Sequence, residues 1–168
     1  MGQPAIAPSK APGTGRRGCY LLRLSLPNPA TIWVGRAGER HFPAGFYMYV
    51  GSAFGPGGVR ARLAHHLRVS SKPHWHVDYL RQIAEVDQIW FSETEEKLEH
   101  RWAEAVAEVT GCQPLEPGLG ASDCNCPTHL FYFERPPEID QFHARLEKQG
   151  GNQRGDLVLW RLPVSVKE

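Results

Sequence analysis

The chain has 168 residues, 41% of them hydrophobic, and this length and composition suit one compact domain with tails. Its 19 Lys and Arg residues against 18 Asp and Glu residues give a formal net charge of +1, which excludes a polycation, so any nucleic-acid surface must be a local patch. Four cysteines exclude a disulfide scaffold at this length, and no stretch predicts a membrane span or a signal peptide, so we expect a cytoplasmic protein.

The first half of the chain predicts strands followed by a helix. Residues 1–17 are rich in Pro, Gly and Ala at their start, and we expect a disordered tail there. Residues 19–26 predict a central strand, because both of its faces carry apolar side chains. Residues 31–34 and 44–50 predict two further strands of an antiparallel start, and residues 59–67 predict a short helix.

The second half predicts two more helices and two more strands before the C-terminal region. Residues 76–84 favour a helix and residues 86–91 a strand. The Ser-Glu-Thr-Glu pattern at 92–95 is a capping box, so we expect a helix from there to about residue 109. Its buried face is marked by apolar residues at helical spacing, namely Leu98, Trp102, Ala105 and Val109.

After a glycine-containing loop at residues 118–128, residues 130–133 predict a last core strand. Residues 139–148 predict an amphipathic helix, and residues 157–166 an additional strand. The predicted class is therefore α/β (α+β), with a small, mainly antiparallel sheet flanked by helices. Its domain spans residues 18–135, and residues 136–168 form a C-terminal helix and strand extension.

The most informative pattern is a strand that ends in a glycine and is followed by a glycine-rich turn and a basic helix. The strand ends at Tyr49-Val50-Gly51, the turn covers 52–58, and the helix region carries Arg60, Arg62, His65, His66 and Arg68. Such an arrangement brings a tyrosine hydroxyl, free backbone N–H groups and guanidinium groups together. Phosphodiester chemistry needs this set, because charge must be neutralised around a phosphate.

These motifs resemble those of the GIY-YIG nuclease superfamily. Gly18-Cys19-Tyr20 corresponds to its first motif and Tyr49-Val50-Gly51 to its second, although residues 28–42 separate the two more widely than usual. Residues 73–80 and 120–131 resemble an uncharacterised prokaryotic branch attached to that superfamily, and the branch resemblance covers about residues 18–133.

The resemblance implies a metal-dependent nuclease and assigns roles to residues. Glu99 would hold Mg²⁺ or Mn²⁺, Arg62 would bind phosphate, and Tyr20 and Tyr49 would flank the metal-bound water, with His66 relaying a proton. The hydroxyls of Tyr20 and Tyr49, the guanidinium of Arg62 and the carboxylate of Glu99 should then line one surface cleft. Each also has a structural interpretation: the glutamate complements a helix dipole, the arginine is solvated, and the aromatic and imidazole side chains belong to the core.

Further contacts to the backbone phosphates of DNA are expected around the turn and the basic helix. The candidates are Arg60, Arg68, Gly51 and Ser52.

A second group of metal-ligating residue types occurs near the end of the predicted domain. Cys124, Cys126 and His129 lie within six positions, and His74 or Asp123 could supply a fourth ligand for Zn²⁺. The spacing does not match a familiar zinc finger, so the alternative is that these residues shape the rim of the cleft without metal.

Asp78 follows two histidines in a segment dense in polar groups. It could orient an imidazole or bind substrate, or it could cap the helix or pair with an arginine.

Three functions compete at this level. The first is a metal-dependent endonuclease that cleaves DNA, the second a non-catalytic nucleic-acid-binding module of the same fold, and the third a zinc-stabilised domain that binds another protein or a small ligand. Catalysis is favoured if Glu99 joins the tyrosines and Arg62; if it points elsewhere, the binding module is favoured.

Overall fold

The computed structural model of this chain describes residues 11–115, 119, 128–149 and 158–161, the last of these by their backbone alone. The strands and helices are, in chain order, β1 Gly18–Leu26, β2 Ala30–Val34, β3 Gly38–Phe42, β4 Gly45–Ser52, α1 Gly58–Leu67, α2 His76–Leu80, β5 Glu85–Glu93, α3 Glu99–Ala107, β6 Gln113–Pro114, β7 Leu130–Phe133, α4 Ile139–Lys148 and β8 Val158–Arg161.

The main sheet has six strands in the order β6-β7-β4-β1-β5-β8, and every neighbouring pair is antiparallel. β1 occupies a central position, since it pairs with β4 on one side and with β5 on the other. The fold is therefore mixed α/β with an antiparallel sheet, and the predicted class is confirmed. In the described part of the chain, no helix has the length and apolar character that a bilayer crossing requires.

The two faces of the sheet carry separate hydrophobic cores, because side chains alternate along β1. Tyr20, Leu22 and Leu24 point to one face, which we call the tyrosine face. Cys19 and Leu21 point to the other, which we call the cysteine face. All five side chains are buried, so the prediction of a central strand with two apolar faces is confirmed.

Different helices cover the two faces. On the tyrosine face, Val59 and Leu63 of α1 join the core, as does Val77 of α2. On the cysteine face, Trp102 of α3 packs against Phe142 of α4 with ring centroids 5.5 Å apart. Residues 136–168 were predicted to be an extension, yet α4 completes this second core and β8 extends the sheet beside β5.

Residues 31–34 do form a strand, but the prediction that it belongs to the main sheet is wrong. β2 pairs with β3, a strand that was not predicted, in a separate two-stranded sheet. Gly35 and Gly38 adopt φ values of 45° and 77°, which allow the chain to reverse between them. The long spacer between the tyrosine motifs thus forms a separate hairpin whose Val34 and Phe42 join the core of the tyrosine face, and β1 pairs directly with β4.

The predicted helix start at residues 92–95 is also wrong. Ser92 is buried in β5 opposite Cys19, and the strand continues to Glu93 before α3 begins at Glu99. Ser92 and Glu93 pair with β1, and the amide of Thr94 donates to the carbonyl of Arg17, so tertiary contacts override the local signal. The predicted buried stripe of this helix region is confirmed, since its four apolar residues are buried. Helix α2 ends at Leu80, four residues earlier than predicted.

Residues 11–17, which were predicted to belong to a disordered tail, make specific contacts. The carbonyls of Thr14 and Arg16 accept hydrogen bonds from the amides of Arg60 and Val59, each at 2.9 Å. The amide of Thr94 donates to the carbonyl of Arg17 at 2.9 Å. This segment therefore ties the first turn of α1 to the end of β5.

Candidate functional site

Two tyrosines and a histidine meet on the tyrosine face. The hydroxyl of Tyr20 lies 2.7 Å from Nε2 of His66 in a buried hydrogen bond. The ring of Tyr49 lies 6.4 Å from that of Tyr20 and 5.9 Å from the imidazole. β1, β4 and α1 each contribute one of these side chains, so the pairing register of the sheet positions the cluster.

The glycines of the two motifs permit close approach within the sheet. A Cβ at Gly51 would collide with the hydroxyl of Tyr20, and a Cβ at Gly18 would collide with the carbonyl oxygen of Ser92. Gly51 is buried within β4, so it accommodates the tyrosine ring rather than presenting its backbone to a ligand. Ser52 is the last residue of that strand and is partly exposed.

Arg62 lies beside the cluster on α1. Its guanidinium carbon is 4.3 Å from the centroid of the Trp75 ring, a cation–π contact. Its charge also acts on Tyr20, where it opposes the effect of burial on the phenol. The arginine is thus held next to Tyr20 and His66, as predicted.

Asp78 connects the two adjacent histidines of α1. Its Oδ1 accepts a hydrogen bond from Nε2 of His65 at 2.9 Å and lies 3.9 Å from Nδ1 of His66. Its Oδ2 accepts hydrogen bonds from the amides of His74 and Trp75, each at 3.0 Å. The carboxylate therefore both caps α2 and orients an imidazole, two of the roles considered for it from the sequence.

Burial and charge set the protonation of this cluster. Burial lowers the pKa of His66 to about 3, with help from His65 and Arg62, so its imidazole is neutral at physiological pH. Burial also raises the pKa of Tyr20 well above its ordinary value. Burial alone would raise the pKa of Asp78, but the hydrogen bonds that it accepts bring that pKa below its ordinary value, so the carboxylate is charged.

A cavity of about 280 Å³ opens at the C-terminal end of α1. Its walls are formed by His65, Arg68, Val69, Ser70 and Ser71. Since His65 also contacts Asp78, this cavity adjoins the edge of the buried cluster. Its arginine and hydroxyl groups suit a phosphate.

The N-terminus of α1 does not offer the free N–H groups that the sequence suggested for phosphate binding. The amides of Arg60 and Val59 already donate hydrogen bonds to the carbonyls of residues 14 and 16. Arg60 and Arg68 have exposed side chains, and they remain the candidate contacts to a nucleic-acid backbone.

Glu99 is not brought to the two tyrosines and Arg62. It begins α3, which packs on the cysteine face, whereas Tyr20 points to the opposite face. The carboxylate instead acts electrostatically on Cys19 and His129. The prediction that one cleft includes Glu99 is therefore wrong. The prediction that the cleft lies at the surface is also wrong, because Tyr20 is only 2% exposed.

The possible zinc group is placed only in part. Cys124 and Cys126 lie outside the described residues. His129 is buried beside α3, with its ring 6.0 Å from that of His100, and burial lowers its pKa. His74 lies at the start of α2 on the other face of the sheet, so the structure does not bring these two histidines together.

The sequence patterns assigned no role to His65 or to Trp75 in this cluster. The signal for both was present, because adjacent histidines near the end of a helix precede a segment that is dense in polar and aromatic side chains. What was missing was the contact between α1 and α2, which no local pattern specifies.

A comparison with protein families matched residues 19–151 to the family described as domain of unknown function DUF123. Comparisons with curated proteins and with solved structures each found no match. The matched segment covers all four helices and every strand except β8 and the first residue of β1, so it includes the elements that carry the cluster and both hydrophobic cores. This chain therefore belongs to the DUF123 family.

Proposed function

We propose that this protein engages DNA phosphodiesters, either as a GIY-YIG-like, metal-dependent endonuclease that cleaves them or, as the position of Glu99 favours, as a nucleic-acid-binding module of the same fold without catalysis. The observation that carries the proposal is the convergence of Tyr20, Tyr49, Arg62 and His66 on one face of the sheet. Two tyrosines, a neutral imidazole and a guanidinium can together orient water and neutralise a phosphate. The superfamily resemblance of the motifs supports the same chemistry.

In this proposal the exposed cations in α1 and directly after it hold the DNA. Arg60 and Arg68 are solvent-exposed, and Arg68 also lines the cavity beside His65. Contacts of this kind release counterions, so binding should weaken as salt rises. A cytoplasmic location is part of the proposal, since Cys19 and Cys112 are free thiols.

The second candidate is a nucleic-acid-binding module without catalysis. It is favoured by the burial of Tyr20 and His66 and by the position of Glu99 on the opposite face. Neither buried group can touch a phosphate unless the cluster opens. This module would keep the basic helix and the cavity.

The deciding experiment is cleavage of a panel of DNA and RNA structures with Mg²⁺ or Mn²⁺. Wild type, Arg62→Ala and the control Arg36→Ala, an exposed arginine of the hairpin, are compared. We expect DNA cleavage by wild type and the control, and a loss of about 100- to 1,000-fold in Arg62→Ala, the typical cost of removing one charge-stabilising donor.

Salt-sensitive DNA binding without any cleavage would replace the nuclease by the binding module. Absence of both would end the two proposals. Glu99→Gln tests the metal role implied by the resemblance: unchanged cleavage would remove Glu99 from the mechanism, and abolished cleavage would restore it.

A further inference from the structure

His65, His66 and Asp78 form a compact group of potential ligands. Their ligating atoms all lie within 4.8 Å of one another. A hydrogen bond between His65 and Asp78 accounts for that pair. It does not account for Nδ1 of His66, which is fully buried, lies 3.9 Å from the same carboxylate oxygen, and has no hydrogen-bond partner in the described part of the chain.

A buried polar atom without a partner carries a free-energy cost, so the arrangement calls for a ligand. We propose that His65, His66 and Asp78 bind one divalent transition-metal ion, with Zn²⁺ as the best match to the two imidazole nitrogens and one carboxylate oxygen. The inference concerns ion binding alone and does not depend on DNA cleavage.

The two distances from the carboxylate suit such an ion, and the two imidazole nitrogens, which lie within 4.8 Å of each other, would move to its coordination distance. With Zn–N distances of about 2.0–2.1 Å, a tetrahedral site places its ligand atoms about 3.3 Å apart. The oxygen of Asp78 lies 2.9 Å from Nε2 of His65 and 3.9 Å from Nδ1 of His66, values that bracket this spacing. The hydrogen bond between His65 and Asp78 would open to admit the ion.

The surrounding contacts already orient the ligands. Metal-binding imidazoles usually use their second ring nitrogen in a hydrogen bond to an outer group. Here Nε2 of His66 donates to the hydroxyl of Tyr20 in the tautomer that leaves Nδ1 free for a metal. Asp78 is held by the amides of His74 and Trp75 through the oxygen that faces away from the histidines.

The chemical identity of the ligands selects the metal. Mg²⁺ prefers an all-oxygen shell with several waters, whereas imidazole nitrogen suits zinc, cobalt and related ions. Three protein ligands leave a fourth position for water or a phosphate oxygen, as in catalytic zinc sites. The cavity lined by His65 and Arg68 borders the first of these ligands.

The test is metal titration of the full chain after chelator treatment and removal of the chelator. Zn²⁺ binding is measured by calorimetry, and Co²⁺ serves as a spectroscopic probe of coordination. The test variant is His65→Gln, since this side chain is 25% exposed and its loss leaves the core intact. The matched control is His74→Gln, an exposed histidine nearby.

We expect wild type to bind one Zn²⁺ at this site and to give a tetrahedral Co²⁺ spectrum of nitrogen and oxygen ligands. His65→Gln should lose more affinity than the roughly 10- to 100-fold that follows removal of an outer-shell partner. His74→Gln and Glu99→Gln should bind as wild type does. If His65→Gln does not fold, Asp78→Asn, which keeps the size of the side chain, takes its place.

Three results would overturn the site. The first is no stoichiometric Zn²⁺ binding by wild type. The second is undiminished binding by the ligand variant. The third is a Co²⁺ spectrum dominated by thiolate charge transfer that disappears in a Cys124→Ser, Cys126→Ser variant, because the ion would then be bound by cysteines.

Discussion

Replacing Gly51 with alanine should destabilise the protein through Tyr20. The added methyl group would collide with the hydroxyl and the adjoining ring carbon of Tyr20, and it would lie 2.9 Å from a further ring carbon. The ring cannot move outward easily, because it is buried and bonded to His66. The side chain of Tyr20 must therefore shift, and its hydrogen bond must weaken.

The expected magnitude has two parts. Overpacking a core costs about 1–3 kcal/mol, and loss of one buried hydrogen bond costs about 0.5–1.5 kcal/mol. Gly51→Ala should thus lower the free energy of unfolding by about 1.5–4.5 kcal/mol. For a chain of this size, each kcal/mol shifts the melting temperature by roughly 2–4 °C.

Urea unfolding followed by tryptophan fluorescence measures this change, with an unchanged m-value as the sign that only stability has altered. The control is Gly55→Ala, where the new methyl group would lie 3.6 Å from the flexible end of Arg62. This control should stay within about 0.5 kcal/mol of wild type. A double-mutant cycle with Tyr20→Ala, which removes the collision, should show strong non-additivity. Additive effects, or a Gly51→Ala variant as stable as wild type, would refute the proposed packing.

Two further predictions concern the ends of the chain. Phe142→Ala should lower the free energy of unfolding in urea by about 3–5 kcal/mol, because it leaves a cavity in the core beneath α4. The control Arg145→Ala breaks an exposed ion pair and should lower it by at most about 1 kcal/mol. Equal effects of the two substitutions would show that α4 is not part of the core. Deleting residues 1–17 should expose the amides of Val59 and Arg60, so their hydrogen exchange should become fast, and unchanged protection would contradict the capping of α1 by this segment.

Local sequence patterns were sufficient for elements whose neighbours agree with them. The central strand of residues 19–26 and the amphipathic helix of residues 139–148 were predicted within one residue, since apolar side chains recur at the period of the observed structure. The proximity of Tyr20, Tyr49 and Arg62 was also predicted, through the resemblance of the motif order, but Glu99 was wrongly placed with them.

Local sequence patterns gave wrong predictions where a distant segment formed hydrogen bonds with the same backbone groups. The capping box at residues 92–95 is a sound local signal, but the N–H and C=O groups there pair with β1 and with the N-terminal segment. Residues 31–34 alternate as a strand of the main sheet would, and only pairing with β3 distinguishes a separate hairpin.

Sequence alone determined that the central strand has apolar side chains on both of its faces and that a basic helix follows the second tyrosine motif. Tertiary structure decided on which face each functional group lies. Glu99 belongs to a helix on the cysteine face, whereas α2 packs beside α1 and brings Asp78 to His65 and His66. The physical reason is that side-chain periodicity specifies which residues share a face of their own element, while the contacts between elements depend on packing across long stretches of chain.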